Sequence, residues 1–216
     1  MSASVTCSVT INNGTSTKQL HEEGTLDFWW VCNQTATDIP LRIAPINVVQ
    51  KLHGLRQLHR GFMWRIGGGG PSAIVQTVSR TLAVDARYNE GGFGVSSASK
   101  TGFFQIGGTG IYGSGFMMAL PAPSWQKRRL KCYTTDFDAI IVGTAKVMDG
   151  DNVEATATDT SPGTIGTDTL HYWTIDYQGG TNRSWMIFEF ILTAKTVGGG
   201  ANQNFGIQGF TLAVAP

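Results

Sequence analysis

Apolar and polar residues alternate along much of this chain. Over SVTCSVTI (4–11), Val5, Cys7, Val9 and Ile11 fall on one side, the two-residue period of a half-buried strand. Asn12-Asn13-Gly14 then supplies a turn. GTLDFWWVC (24–32) reads as a second strand, with Leu26, Phe28, Trp30 and Cys32 on one face. Trp29 and Val31 point the other way, so both faces are expected to be covered. IPLRIAP (39–45) reads as a short strand or extended connector broken by prolines. SAIVQTVSRTLAV (72–84) and FDAIIVGTAKVM (137–148) are further strands, and DGDN (149–152) turns the latter toward an antiparallel partner, VEATATDT (153–160). TLHYWTIDY (169–177) and RSWMIFEFILTAK (183–195) alternate around a connection at 178–182, and FGIQGFTLAVAP (205–216) is a terminal strand. By the same alternation, Trp30 and Trp185 are assigned to the core side.

One segment breaks this period. In VVQKLHGLRQLHRGFMWRIGGGGP (48–71), Val48, Leu52, Leu55, Leu58 or His59, and Phe62 recur every three to four residues. That spacing predicts an amphipathic helix near 46–60, with Pro45 before or at its first turn and Gly61 at its far end. Its polar face gathers Gln50, Lys51, His53, Arg56, Gln57 and Arg60, and Arg65 follows. Residues 91–118 pair aromatics with glycines and read as short strands or a long ordered loop. Their apolar content requires a packing surface, either the body of the protein or a neighbour. The expected architecture is therefore mainly β. It is a two-sheet antiparallel sandwich, jelly-roll-like, of about eight strands with one central helix, and residues 1–216 form a single domain.

Composition sharpens this picture. Charged residues make up 14% of the chain, against about 25% in a typical soluble domain. A surface so sparsely charged suits a protein that hides much of itself in contacts, or a Thr-rich binding module. The net charge of +1 conceals an ordered asymmetry. Residues 1–38 carry one basic and four acidic side chains, residues 39–131 twelve basic and two acidic, and residues 132–216 three basic and nine acidic. Candidate polyanion contacts are Lys51, Arg56, Arg60, Arg65, Lys127, Arg128, Arg129 and Lys131. No helix-turn-helix, zinc-finger or ribonucleoprotein signature accompanies them, so any contact with nucleic acid is expected to be independent of sequence. Phe103, Phe104, Tyr112, Phe116 and Trp125 are the candidate interface aromatics.

Signals for catalysis are weak. IGGGGPS lacks the Gly-Lys-Ser/Thr ending of a phosphate-binding loop, and GGTGIYGSG (107–115) lacks the strand–turn–helix setting of a dinucleotide fingerprint. His53 and His59 are not at zinc-pair spacing, and MDGDN does not continue into a calcium-binding series. The cysteines, Cys7, Cys32 and Cys132, are too few and too scattered for a disulfide framework, which leaves a Cys7–Cys32 bridge open. The sequons at Asn13, Asn33 and Asn182 match what chance gives in a chain rich in Thr and Ser. No metal, cofactor or enzymatic activity is expected.

The N-terminal residues lack the basic start and long apolar run of a signal peptide, and no apolar run is long enough for a transmembrane helix. The expected function is that of a self-assembling structural subunit, such as a viral coat or tail protein, with copies of itself as partners. Its basic surface would face nucleic acid. The expected location is a virion or other assembled particle, made in the cytoplasm, with secretion as the alternative. The alternative function is a carbohydrate-binding lectin or adhesin-like module, or a membrane-active toxin domain. Exposed aromatics and the turns at 149–152 and 178–182 would form the carbohydrate site, and residues 103–120 would be the inserting or docking region of the membrane-active domain.

Overall fold

A computed structural model describes residues 2–11, 18–19, 26–30, 49–50, 62–66, 74–87, 97–108, 111–166 and 169–216. Within them the chain runs as β1 (Ser4–Ile11), β2 (Lys18–Gln19), β3 (Asp27–Trp30), β4 (Val49–Gln50), β5 (Phe62–Ile66), β6 (Ile74–Arg87) and β7 (Ser97–Gly108). It continues as β8 (Gly115–Pro121), β9 (Arg128–Phe137), β10 (Ala139–Asp149), β11 (Asn152–Thr160), β12 (Thr169–Gln178), β13 (Trp185–Lys195) and β14 (Gln203–Val214). These strands build two sheets, one of nine strands and one of five. The larger has the path β1-β12-β9-β14-β7-β6-β2, with β3 and β4 branching from β14, and the smaller has the order β11-β10-β13-β8-β5. All pairings are antiparallel except the short β2–β6 contact.

Period-two patterning becomes a sandwich core directly. Val5, Cys7, Val9 and Ile11 face inward on β1, opposite Tyr177, Ile175, Trp173 and His171 of β12. On β13, Met186, Phe188, Phe190 and Leu192 are fully buried. Phe190 lies 5.9 Å, 4.9 Å and 5.5 Å, centroid to centroid, from Phe116, Phe188 and Phe205, so aromatic rings from both sheets meet at the centre. Trp173 of β12 packs against Phe188 and lies over Gly143 of β10, and its Nε1 donates to Thr134 Oγ1 at 3.0 Å. The sandwich is closed along one side, where the Val9 amide of edge strand β1 donates to Asp159 Oδ2 of edge strand β11 at 2.8 Å. Such a contact occupies an edge donor that would otherwise be open to another strand.

Several expectations change. Val49–Gln50, expected inside the helix, instead pair with Phe28 and Asp27 as strand β4. The rest of that segment, residues 46–48 and 51–60, lies outside the described residues, and among the described residues there is no helix. The 91–118 tract supplies β7 and most of β8. Trp185 is on the outer face, not in the core, because β13 is phased by its Met186/Phe188/Phe190/Leu192 set, one position out of step with it. Cys7 and Cys132 carry free thiols, so Cys7 is not bridged to Cys32. Burial pushes the Cys7 thiol up to about 12, with Asp159 adding to the effect, and burial raises that of Cys132 well above the ordinary range. Both stay protonated and unreactive at neutral pH.

Candidate functional site

At one end of the sandwich three connections meet: 122–127 between β8 and β9, 150–151 between β10 and β11, and 179–184 between β12 and β13. Gly179 and Gly180 permit the closeness. A Cβ on Gly179 would stand 2.0 Å from the Ala122 carbonyl oxygen, and one on Gly180 would stand 2.3 Å from Glu154 Oε1. Gly150 supplies the left-handed backbone (φ 60°) of the β10–β11 turn.

Side chains then knit the loops together. Glu154 Oε2 accepts from the Gly180 amide at 3.1 Å and from Ser184 Oγ at 2.7 Å. Thr181 donates through Oγ1 to Asp149 Oδ2 and through its amide to Ser184 Oγ, both at 3.1 Å. Ser124 Oγ donates to Asn182 Oδ1 at 2.7 Å, and the Ala122 amide donates to the Ser184 carbonyl at 2.9 Å. Charge-assisted bonds from carboxylates to amides and hydroxyls are the stronger class. The loop therefore has a fixed shape before any ligand arrives.

Two tryptophans flank this loop. Trp125 is 54% exposed in the 122–127 connection, and Trp185, immediately after the 179–184 loop, is 37% exposed. Between and beside them Asp151, Asn152, Asn182 and Arg183 are also exposed. The arrangement offers aromatic side chains near exposed hydrogen-bonding groups of both polarities, of which Asn182 is held by Ser124. The turns at 149–152 and 178–182 are those expected from the sequence, whereas Trp185, expected on the core side, is exposed beside them.

The other sequence candidates separate. Lys127 is 42% exposed by its side chain, with Nζ 3.9 Å from Asp176 Oδ2. Arg128 is buried, 1% exposed, and its Nη1 donates to the Pro121 carbonyl at 3.2 Å. It faces the buried Tyr177 phenol. Burial lowers the guanidinium pKa and raises that of the phenol, and the contact between the two opposes both shifts. Arg129 grips Asp176 with both ends of its guanidinium, at 2.6 Å and 2.7 Å, and the hydrogen bond to Asp176 raises its pKa. Lys131 is half-buried on the same outer face of β9. Strand alternation thus divides the Lys127–Lys131 run, placing Arg128 inside and Arg129 and Lys131 outside. Arg65 lies on β5 opposite Phe116, and Lys51, Arg56 and Arg60 lie outside the described residues.

Among the interface aromatics, Tyr112 is 44% exposed, whereas Phe116 is fully buried between Phe190 and Phe205. It is a core residue because β8 turns that position toward the facing sheet. Phe103 and Phe104 lie on β7, opposite Val78 and Thr77 of β6.

A serine, a histidine and an aspartate converge at the opposite end of the sandwich, but not as a nucleophilic triad. Asp136 is central: Oδ2 is 2.8 Å from His171 Nε2 and accepts from Ser161 Oγ at 3.2 Å, and Oδ1 accepts from Thr164 Oγ1 at 3.2 Å. Ser161 Oγ also accepts from the Ile141 amide at 2.9 Å. The hydroxyl is directed at the carboxylate and not at the imidazole, and Asp136, Ser161 and His171 are all buried. This geometry ties β9, β12 and the β11–β12 connection together through Asp136, with the serine hydroxyl on the carboxylate. Among the described residues no group of three His, Cys, Asp or Glu side chains is placed to hold a metal ion.

No family model and no curated protein matches this sequence. Among solved structures, the chain is similar to the enzymatically active domain of tailspike protein 4 of bacteriophage CBA120, with a TM-score of 0.44 and 10% identity. That match covers 71% of this chain and 19% of the other. It is also similar to TmCBM61, solved in complex with beta-1,4-galactotriose, with a TM-score of 0.37, 14% identity, and coverage of 70% of this chain and 88% of that one.

Proposed function

We propose that this chain is a carbohydrate-binding β-sandwich module with no enzymatic activity of its own, holding a saccharide across the 179–184 loop. One observation carries the reading: Trp125 and Trp185, both exposed, bracket a loop fixed by hydrogen bonds that Asp149, Glu154 and Ser184 accept from Thr181, Ser184 and the Gly180 amide. A sugar ring presents apolar C–H groups on its faces and hydroxyls around its edge. Tryptophan faces take the former and Asn182, Arg183 and Asp151 the latter. Pre-ordering of the loop removes part of the entropic cost of binding.

A glycan array identifies the ligand, and titration calorimetry compares the native chain with Trp125→Ala and Trp185→Ala. Each substitution is expected to weaken binding by at least about tenfold, as for aromatic anchors at recognition sites. Trp125 is the more exposed of the two, so Trp125→Ala should change the melting temperature little, whereas Trp185→Ala, at a largely covered side chain, should lower it, and a melting curve separates that loss from the loss of binding. No retention of any glycan, or full affinity in the double variant, would sink this reading.

A second reading, that of a self-assembling subunit in a virion or other particle, is favoured by the outer face of the five-stranded sheet. Ile187, Ile191 and Met117 are half-buried there and Val153 is 50% exposed, apolar side chains on β13, β8 and β11 that surround the Lys146–Glu189 ion pair. Sedimentation velocity across salt and pH is then expected to show oligomers that Ile187→Asp dissolves. A monomer under every condition removes this reading.

A further inference from the structure

The end of the sandwich away from Trp125 carries exposed apolar side chains on loops whose described residues are uncharged. Tyr112, Ile165 and Val197 are 44%, 57% and 88% exposed. They stand on three connections: 111–114 before β8, 161–166 after β11, and 196–202 after β13. None of these segments contains Asp, Glu, Lys or Arg. The nearest charges in sequence are Lys195, exposed at the base of the 196–202 turn, Asp159, which is bonded to the Val9 and Thr160 amides, and Asp168, outside the described residues.

The connections are neighbours in space. The Gly113 amide donates to the Leu192 carbonyl at 2.8 Å, and a Cβ on Gly198 would stand 3.5 Å from Ile165 Cδ1. Buried Asp138 ties two of them down, accepting from the Gly166 amide at 2.8 Å and the Gly200 amide at 2.7 Å. Its carbonyl accepts from the Thr196 amide at 3.1 Å. The tips are therefore presented on a rigid base.

We propose that this end docks on the interface of a lipid bilayer with neutral, zwitterionic headgroups. Ile165 and Val197 would enter the acyl boundary, with Tyr112 at headgroup depth, where a ring with one polar end is favoured. Lys195 would run back toward a lipid phosphate. A lipid fits better than a protein partner because of area. Three side chains expose on the order of a few hundred Å² together, against roughly 800 Å² per partner in a standard protein interface. A neutral surface fits better than an anionic one because, among the described residues, the tips bring no basic cluster. Binding is expected to be reversible and weaker than the roughly 10⁴ M⁻¹ of a single myristoyl chain.

The full chain is mixed with phosphatidylcholine vesicles at millimolar lipid and sedimented. Co-sedimentation is expected, and Ile165→Asp/Val197→Asp should lower the bound fraction by about tenfold or more. Thr158→Asp, on an exposed strand position, and Trp125→Ala should bind vesicles like the native chain. Matching melting curves establish that the double variant is folded. The proposal is overturned if the native chain stays in the supernatant, if it requires added phosphatidylserine, or if Thr158→Asp binds as poorly as the double variant. It is equally overturned if the double variant instead dissolves a protein oligomer. The saccharide site lies at the other end, so neither failure entails the other.

Discussion

Asp136→Ala is expected to destabilise the fold by about 3 kcal/mol, because it removes a buried acceptor on which several polar groups converge, each left with a desolvation cost of about 1–3 kcal/mol. The Asp136 side chain has no exposed surface, and His171, Ser161 and Thr164 all converge on it. Alanine strands those groups in a region water does not reach, and each stranded polar group carries a desolvation cost. The damage should spread along the chain, because Ser161 also holds the Ile141 amide and Thr164 is bonded by Thr169. Urea denaturation measures the loss, and the melting temperature should fall by roughly 10 °C in a chain of this size. Asp136→Asn keeps one oxygen acceptor and should lose less. A stability within about 1 kcal/mol of the native chain for Asp136→Ala would show that the cluster does not brace this end.

Gly143→Ala should cost about 3 kcal/mol, at the upper end of ordinary overpacking. A Cβ there would stand 2.3 Å from Trp173 Cζ3, with Cε3 and Cη2 at 2.7 Å and 2.9 Å. The ring cannot simply swing away. Its Nε1 is bonded to Thr134, Phe188 packs beside it, and the residue is fully buried. A double-mutant cycle with Trp173→Phe tests the cause directly. The smaller ring should relieve the clash, so Gly143→Ala should cost markedly less in that background, giving a coupling of at least about 1 kcal/mol. Additive effects would place the cost of the methyl group somewhere other than Trp173.

Period two made the sandwich legible from sequence. The runs at 4–11, 137–148, 153–160, 169–177 and 183–195 lie on β1, β10, β11, β12 and β13, because on these strands one face is buried and the other is not. The strands that went unread are those where this contrast fails. WQKRRLKCY reads as a charge cluster, yet it enters β9, whose Arg128 is buried and whose Arg129 is neutralised by an aspartate from the neighbouring strand. Only pairing with β12 reveals that, and pairing is not local information. The candidate site divides in the same way. Its turns were visible in DGDN and GGTN, since glycine and asparagine mark backbone conformations. Its second tryptophan was not, because Trp185 sits one position before the residue that sets the phase of β13. The serine, histidine and aspartate cluster was equally hidden, since its members lie on β9, β12 and the β11–β12 connection and meet only in space.

β14 has a consequence for synthesis. It joins β1-β12-β9 to β7-β6-β2, pairing with β9 on one side and with β7 and β3 on the other. The strand that unites the nine-stranded sheet is therefore the last of the fourteen to leave the ribosome. At roughly 5–20 residues per second, the earlier strands wait many seconds for it, with their β14-facing edges unpaired. β1 waits longer still for β12 than β7 and β9 wait for β14. Such long-range closure predicts slow folding and an interval in which nascent chains are vulnerable to pairing with one another.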